Sequence, residues 1–386
     1  MPNPPPLYKD DFYSMDGACY LNCANQGPMP KVGIEAVKES LQYKMAPQRI
    51  SNDMYFTLPD TYRAGIAELL GCKADQVAIS DSTTYGVSLL TQGLDWQAGD
   101  EVLIPHGEFP ANRFPWMALQ KRGVVLKEIE LPSGAAAVDA LANAITDKTR
   151  VVSLAWVTYA SGARRDLKAL GDVARAAGAL FVVDGSQAAG AHPLNLSTTP
   201  CDLFVCSGYK WMLGPYGLGF AVLSPALRDR LEPATINWFA LEGASNFGGL
   251  DQCALKLAPG ARKFDINETA NFFNLSGGIA SLQYVLGIGP ETVEQHVSGL
   301  LDRLIAGLPD GFAPRDSGPL RSNILCIAGP DQATTDAAWA SLCANDVIAS
   351  VREGVIRFSP HLYNTDQDVD HALNALSSLD VHLQGS

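Results

Sequence analysis

Residues 180–190 read Leu-Phe-Val-Val-Asp-Gly-Ser-Gln-Ala-Ala-Gly, and residues 201–219 read Cys-Asp-Leu-Phe-Val-Cys-Ser-Gly-Tyr-Lys-Trp-Met-Leu-Gly-Pro-Tyr-Gly-Leu-Gly. Each holds an apolar run too short for a helix, closed by a polar residue and a glycine turn. A run that is apolar on both faces reads as a strand of a parallel sheet covered by helices on both sides. Asp184 closes the first strand, Leu180–Asp184, and Lys210 follows the second, Leu203–Ser207, after a Ser-Gly-Tyr turn. Ligands of parallel sheets bind beyond the carboxyl ends of the strands. The spacing therefore predicts one crevice that receives both a carboxylate and an amine.

Outward from this stretch the same pattern repeats. Short apolar runs at 77–80, 102–105, 124–129, 151–156 and 219–223 read as further strands. Helical patterns at 83–94, 116–122 and 166–177 lie between them. Strands alternating with helices predict an α/β fold with a mostly parallel central sheet. The last third differs: helices at 276–286 and 291–308, a strand at 323–327, a helix at 334–344, a strand at 355–358 and a final helix at 366–379. The expected division is a large domain over 22–275 and a smaller α+β domain formed by 1–21 and 276–386, with 321–359 as a strand–helix–strand unit.

Composition narrows the class. At roughly 150 residues per domain, a chain of 386 residues is two to three domains. Hydrophobic residues at 47% and charged residues at 18% suffice for a large core and exclude a disordered chain. The net charge of −13 argues against nucleic acid as the partner, which needs a basic face. No apolar run is long enough to span a bilayer. The opening Met-Pro-Asn-Pro-Pro-Pro lacks the apolar core of a secretory signal, and the eight cysteines form no Cys-x-x-Cys pair. Free thiols and a cytoplasmic location are expected.

Other motifs give little. Residues 214–219 are not G-x-G-x-x-G and precede a strand, so a dinucleotide loop is unsupported. The six histidines lack metal-ligand spacing, so no metal is expected. Ser186 is not in a G-x-S-x-G elbow. A lysine and a carboxylate in one crevice do suit an aldehyde cofactor: the amine forms a Schiff base and the carboxylate keeps a ring nitrogen protonated.

The chain resembles the class V aminotransferase family of fold-type I pyridoxal-phosphate enzymes, which includes cysteine desulfurases and isopenicillin N epimerase-like proteins. The resemblance rests on three blocks. Tyr20-Leu21-Asn22 with Asn25-Gln26-Gly27-Pro28 is similar to the N-terminal signature. Asp184-x-x-Gln187 with Ser207-Gly208-Tyr209-Lys210-Trp211 is similar to the cofactor block. Arg357-Phe358-Ser359-Pro360-His361-x-Tyr363-Asn364-Thr365 is similar to the C-terminal signature.

The resemblance implies pyridoxal 5'-phosphate as cofactor, with Lys210 as the Schiff-base lysine and proton shuttle. It implies Asp184 on the pyridinium nitrogen and Gln187 on the ring oxygen. Ser82, Thr83 and Thr84, at a strand-to-helix turn, would hold the phosphate together with Ser207 and Tyr209. Phe109 would stack on the ring. Arg357 would bind the α-carboxylate of an amino-acid substrate, with Arg352, Asn25 and Tyr159 as further substrate contacts. Trp156, Tyr159, Tyr216, Trp238 and Phe239 are candidates for aromatic pocket walls. Retention of Lys210, Asp184, Gln187 and Arg357 together argues against a non-catalytic relative.

Departures guide the choice of reaction. The stretch 350–356, where desulfurases of the family carry a loop cysteine, has none. An aminotransferase is the leading expectation, with a β-eliminating C–S lyase or an amino-acid epimerase as alternatives. Residues 264–269 resemble a segment that relatives lend to a neighbouring subunit, which implies a homodimer.

Overall fold

The structure, a computed structural model, describes residues 8–252, 254–315 and 318–378. The apolar runs form seven strands of one sheet: β1 (Val77–Ser80), β2 (Glu101–Pro105), β3 (Val125–Ile129), β4 (Thr149–Ala155), β5 (Leu180–Asp184), β6 (Leu203–Ser207) and β7 (Gly219–Leu223). Their order is β1-β7-β6-β5-β4-β2-β3. The pairs β3/β2, β2/β4, β4/β5 and β5/β6 are parallel. β7 is antiparallel to both β6 and β1. The reason is local: the connection 208–218 contains no helix, and a parallel return needs a crossover.

Side chains along these strands alternate between two apolar layers. Phe181, Val183, Phe204 and Cys206 join one buried cluster. Leu180, Val182, Leu203 and Val205 join the other. The period of two with both faces apolar is what a sheet sandwiched between helices requires. The helices include α1 (Lys31–Ser40), α2 (Met54–Leu70), α3 (Thr83–Gly93) and α4 (Leu167–Ala176). α3 lies so close to β6 that a Cβ on Gly86 would stand 2.4 Å from a Val205 methyl. The Asp166 carboxylate caps α4 by accepting from the Ala169 N–H.

Beyond residue 271, α5 (Phe272–Ile288) packs against α1 and α2, and α6 (Pro290–Ala306) leads to a second sheet. That sheet comprises β8 (Ala313–Pro314), β9 (Leu325–Ala328), β10 (Ser350–Arg352) and β11 (Val355–Phe358), antiparallel in the order β10-β11-β9-β8. α7 (Gln332–Ala344) and α8 (Asp366–Ser377) pack together beside it. The N-terminal segment is stitched to this part: Cys19–Tyr20 pairs with Val347–Ile348, and Asn22 bridges Ser359.

Some element bounds move. The helix expected over 116–122 is a short α-helix, Phe114–Ala118, followed by a 3-10 turn, Leu119–Arg122. Pro115 starts the first, and Gly123, in the left-handed region, ends the second. The final helix stops at Ser377, and Leu379 of the expected range lies outside the described residues. Among the described residues no helix is long and apolar enough to cross a membrane, seven cysteines are free, and no cluster of potential metal ligands forms.

Candidate active site

Pairing registers bring the carboxyl ends of the strands into one row. Ala155 stands opposite Asp184, Asp184 opposite Val205, and Ser207 opposite Gly219. Above this row lies a cavity of about 430 Å3, within the range of small-molecule sites. Its lining includes all nine residues expected to hold a cofactor: Ser82, Thr83, Thr84, Phe109, Asp184, Gln187, Ser207, Tyr209 and Lys210.

One end of the cavity is a hydroxyl cradle at the N-terminus of α3. Ser82 caps the helix by accepting from the Tyr85 N–H at 3.2 Å. Thr83 Oγ1 lies 2.6 Å from Ser186 Oγ and 3.0 Å from Ser207 Oγ, and the Ser207 N–H donates to Ser186 Oγ at 3.2 Å. Hydroxyls and free N–H groups at a helix start suit an anion.

The other end is set by Asp184 and Lys210. Asp184 is buried, and its Oδ1 accepts the Ser186 N–H at 2.9 Å. Burial pushes its carboxyl above the usual range, opposed by the Ser186 hydrogen bonds and the Lys210 charge. Burial also lowers the Lys210 ammonium, with Asp184 opposing and Arg357 assisting. Each group thus lacks a full counter-charge, and a ligand with a cationic ring nitrogen would supply one to Asp184. Lys210 Nζ sits 5.3 Å from the Phe109 ring centre and 5.6 Å from that of Tyr209. The cavity therefore offers an anion cradle, a carboxylate, an amine and an aromatic wall. This donor set fits a phosphorylated pyridine aldehyde.

The substrate-side expectations divide. None of Arg357, Arg352, Asn25 and Tyr159 lines this cavity among the described residues. Tyr159 reaches its rim, with its ring edge-on against Phe109 at 5.2 Å. Arg357, 1% exposed, donates from Nη1 to the Tyr159 carbonyl at 2.7 Å and from Nε to Ser350 Oγ at 3.1 Å. Burial and the nearby Arg352 bring its guanidinium down to about 10, so it stays cationic at neutral pH. Arg352 donates to the Val351 carbonyl on its own strand, and Asn25 is exposed. Of the aromatic candidates only Tyr216 lines the cavity, its ring 4.6 Å from that of Tyr209. Trp156 is buried against His192 and Phe204, and Trp238 and Phe239 join a separate aromatic cluster with Tyr55 and Phe56.

Two residues were given no role at this site by the sequence reading. Ser186 lies between Asp184 and Gln187 and completes the hydroxyl cradle; its place at a strand end was the available signal. Glu108, 6% exposed, accepts from the Ala155 N–H at 2.9 Å and from Asn112 Nδ2 at 3.0 Å. It braces the turn that carries Phe109. Burial outweighs these two donors and pushes its carboxyl up to about 7.

Comparison with known proteins identifies the family and the fold. The family profile described as Aminotransferase class-V matches residues 20–310. Isopenicillin N epimerase of Streptomyces clavuligerus is 28% identical over 383 residues, covering 93% of this chain and 94% of that protein. A probable cysteine desulfurase of Methanothermobacter thermautotrophicus is 25% identical, with 91% and 92% covered. Among solved structures, the cystine C–S lyase C-DES in complex with its product cysteine persulfide superposes with a TM-score of 0.85 at 24% identity, covering 94% of this chain and 97% of that one. A lysine-to-alanine mutant of C-DES, with glycine covalently linked to the PLP cofactor, gives a TM-score of 0.87 at 23% identity, with 96% and 98% covered. At such identities the structural likeness shows the fold.

Proposed function

The chain belongs to the class V aminotransferase family, which depends on pyridoxal phosphate, and from that premise we propose that it is an aminotransferase acting at the α-carbon of an amino acid. When bound, the cofactor supplies an electron sink for the pair left on the α-carbon after proton loss. The protein supplies the rest. Lys210 is the only lysine lining the cavity among the described residues, and its lowered affinity for protons suits it to take and return one near neutral pH. Asp184 holds the ring nitrogen's proton, Gln187 donates to the ring oxygen, and the Ser82–Thr84 turn with Ser186, Ser207 and Tyr209 anchors the phosphate. Arg357 orients the substrate carboxylate from beside Tyr159.

The observation that carries the reading is the cavity lining, whose one amine is Lys210 and which holds no histidine or cysteine among the described residues. Lys210 Nζ lies 5.3 Å from the centre of the Phe109 ring, which has no proton to give. A lysine that takes a proton and returns it suits the proton shift of transamination. A desulfurase's nucleophilic thiol has no counterpart beside Lys210, because no cysteine lines the cavity among the described residues. Burial also holds the Cys23 and Cys206 thiols far above their usual range. β-Elimination is the second reading. It is favoured by Tyr159, whose ring stands edge-on against Phe109 and whose phenol could protonate a leaving group.

The test is a visible spectrum of cofactor-loaded protein during addition of an amino-acid panel. A transaminase loses the band and regains it when a 2-oxo acid is added. Unaided return of the band, with release of ammonia, would transfer the assignment to elimination. Lys210→Ala is expected to abolish turnover with the fold intact; normal turnover by that variant would sink the assignment. We also propose a homodimer. Phe114 is 56% exposed and lines, with Phe109, Pro110 and Thr84, an apolar hollow beside the site. Sedimentation at micromolar concentration decides it, and a monomer would refute it.

A further inference from the structure

An amide side chain has two unlike ends, and only one of them serves a negatively charged ring oxygen. If Gln187 presented its carbonyl there, two acceptors would face each other. Two neighbours of opposite polarity remove the ambiguity. The Trp211 indole N–H, which can only donate, meets Gln187 Oε1 at 3.0 Å. The Ala24 carbonyl, which can only accept, meets Gln187 Nε2 at 3.0 Å. Oε1 is thus drawn away from the cavity that Gln187 lines, and the second N–H of Nε2 is left for it.

Trp211 is itself pinned. It has no exposed surface, and its ring packs 5.4 Å from that of His361. His361 Nδ1 accepts the Leu362 N–H at 2.7 Å, so its proton sits on Nε2 and is donated to the Trp211 carbonyl at 3.1 Å. The residue after the lysine is therefore held at its backbone by His361, while its indole N–H holds Gln187.

We propose that Trp211 is a positioning residue whose indole N–H fixes the orientation of the Gln187 amide, so that an N–H rather than the carbonyl faces the cofactor's ring oxygen. The proposal rests on the role given to Gln187 above.

The experiment is a pH titration of the visible absorption of cofactor-loaded protein. The proton shared between the ring oxygen and the Lys210 nitrogen is released more readily when Gln187 donates to that oxygen. Loss of the donation raises the titration midpoint, by about one pH unit for a hydrogen bond to a charged group. Trp211→Phe is expected to show this rise. So is replacement of the indole by its benzothiophene isostere, which keeps the ring shape and lacks the N–H, so a packing defect cannot account for the effect. In a Gln187→Ala background, Trp211→Phe is expected to add nothing. If Gln187→Ala raises the midpoint while neither Trp211 replacement does, the positioning role is overturned and the Gln187 role stands. A Trp211 shift that persists without Gln187 also overturns it. If Gln187→Ala leaves the midpoint unmoved, the role of Gln187 itself fails, and the proposal with it.

Discussion

At the scale of single residues, burial decides the chemistry. Glu108 illustrates the cost. Its carboxyl keeps a proton in the folded protein up to about 7, against an ordinary 4.5. Between those values the folded state binds more protons than the unfolded chain, so stability falls as pH rises through the window, by up to about 3 kcal/mol. Glu108→Gln cannot titrate and is expected to flatten that slope. Denaturant unfolding of the cofactor-free proteins between about pH 5 and pH 8 reads it directly; an equally steep slope in the variant would assign the effect to another group. Arg357 shows the opposite use of burial. Its Nε and Nη1 are held by Ser350 and Tyr159, which leaves a fixed cation for a carboxylate. Arg357→Ala is expected to raise KM for amino acids roughly ten- to hundredfold while cofactor affinity stays within a few fold. The reverse pattern in steady-state kinetics and cofactor titration would give the arginine another role. Asp184 and Lys210 were legible in the sequence because each follows an apolar run. Glu108 was not, because its burial and its bond from the Ala155 N–H, at the end of β4, arise only in the folded chain.

Among the elements, the turn from β1 into α3 carries two functions in one residue. The Ser82 hydroxyl caps the helix and belongs to the anion cradle. The functions separate by substitution. Ser82→Ala is expected to cost about 1 kcal/mol of stability and to weaken cofactor binding. Ser82→Asp keeps a cap and places a negative charge at the cradle, so stability holds while cofactor affinity falls roughly tenfold or more. Chemical denaturation of the cofactor-free proteins and titration with cofactor separate the two effects. Equal loss of stability in both variants would show that the cap is not what Ser82 contributes. This turn was legible because a Ser-Thr-Thr run between a strand and a helix is a local pattern. The short helix and 3-10 turn over 114–122 were less so, since Pro115 and Gly123 set bounds that apolar periodicity does not register.

For the molecule as a whole, the site depends on segments distant in the chain that grip one turn. The Gly27 N–H donates to the Tyr209 carbonyl, and the Cys23 thiol approaches the Lys210 carbonyl at 3.5 Å. His361, from the C-terminal part, donates to the Trp211 carbonyl. A Cβ on Gly27 would lie 2.1 Å from the Lys210 carbonyl oxygen, so backbone must move to admit one. Gly27→Ala is expected to destabilise by about 1–3 kcal/mol and to weaken cofactor binding although no cofactor-lining residue is changed. Unaltered binding and unfolding would mean that the N-terminal segment does not hold the lysine turn.

The sequence by itself determined the sheet, the strand ends that bear Asp184 and Lys210, and the hydroxyl turn at Ser82–Thr84. Each follows from short continuous apolar runs and from turn chemistry within a few residues. The tertiary structure alone decided the orientation of the Gln187 amide, the bracing of Phe109 by Glu108, and the tie between Arg357 and the Tyr159 carbonyl. It also moved Trp156, Trp238 and Phe239 away from the cavity wall. The physical reason is range. Contacts such as Ala24 with Gln187 or Tyr159 with Arg357 join residues more than a hundred positions apart, and they exist only once both sheets are folded and their carbonyls and side chains must find partners out of water.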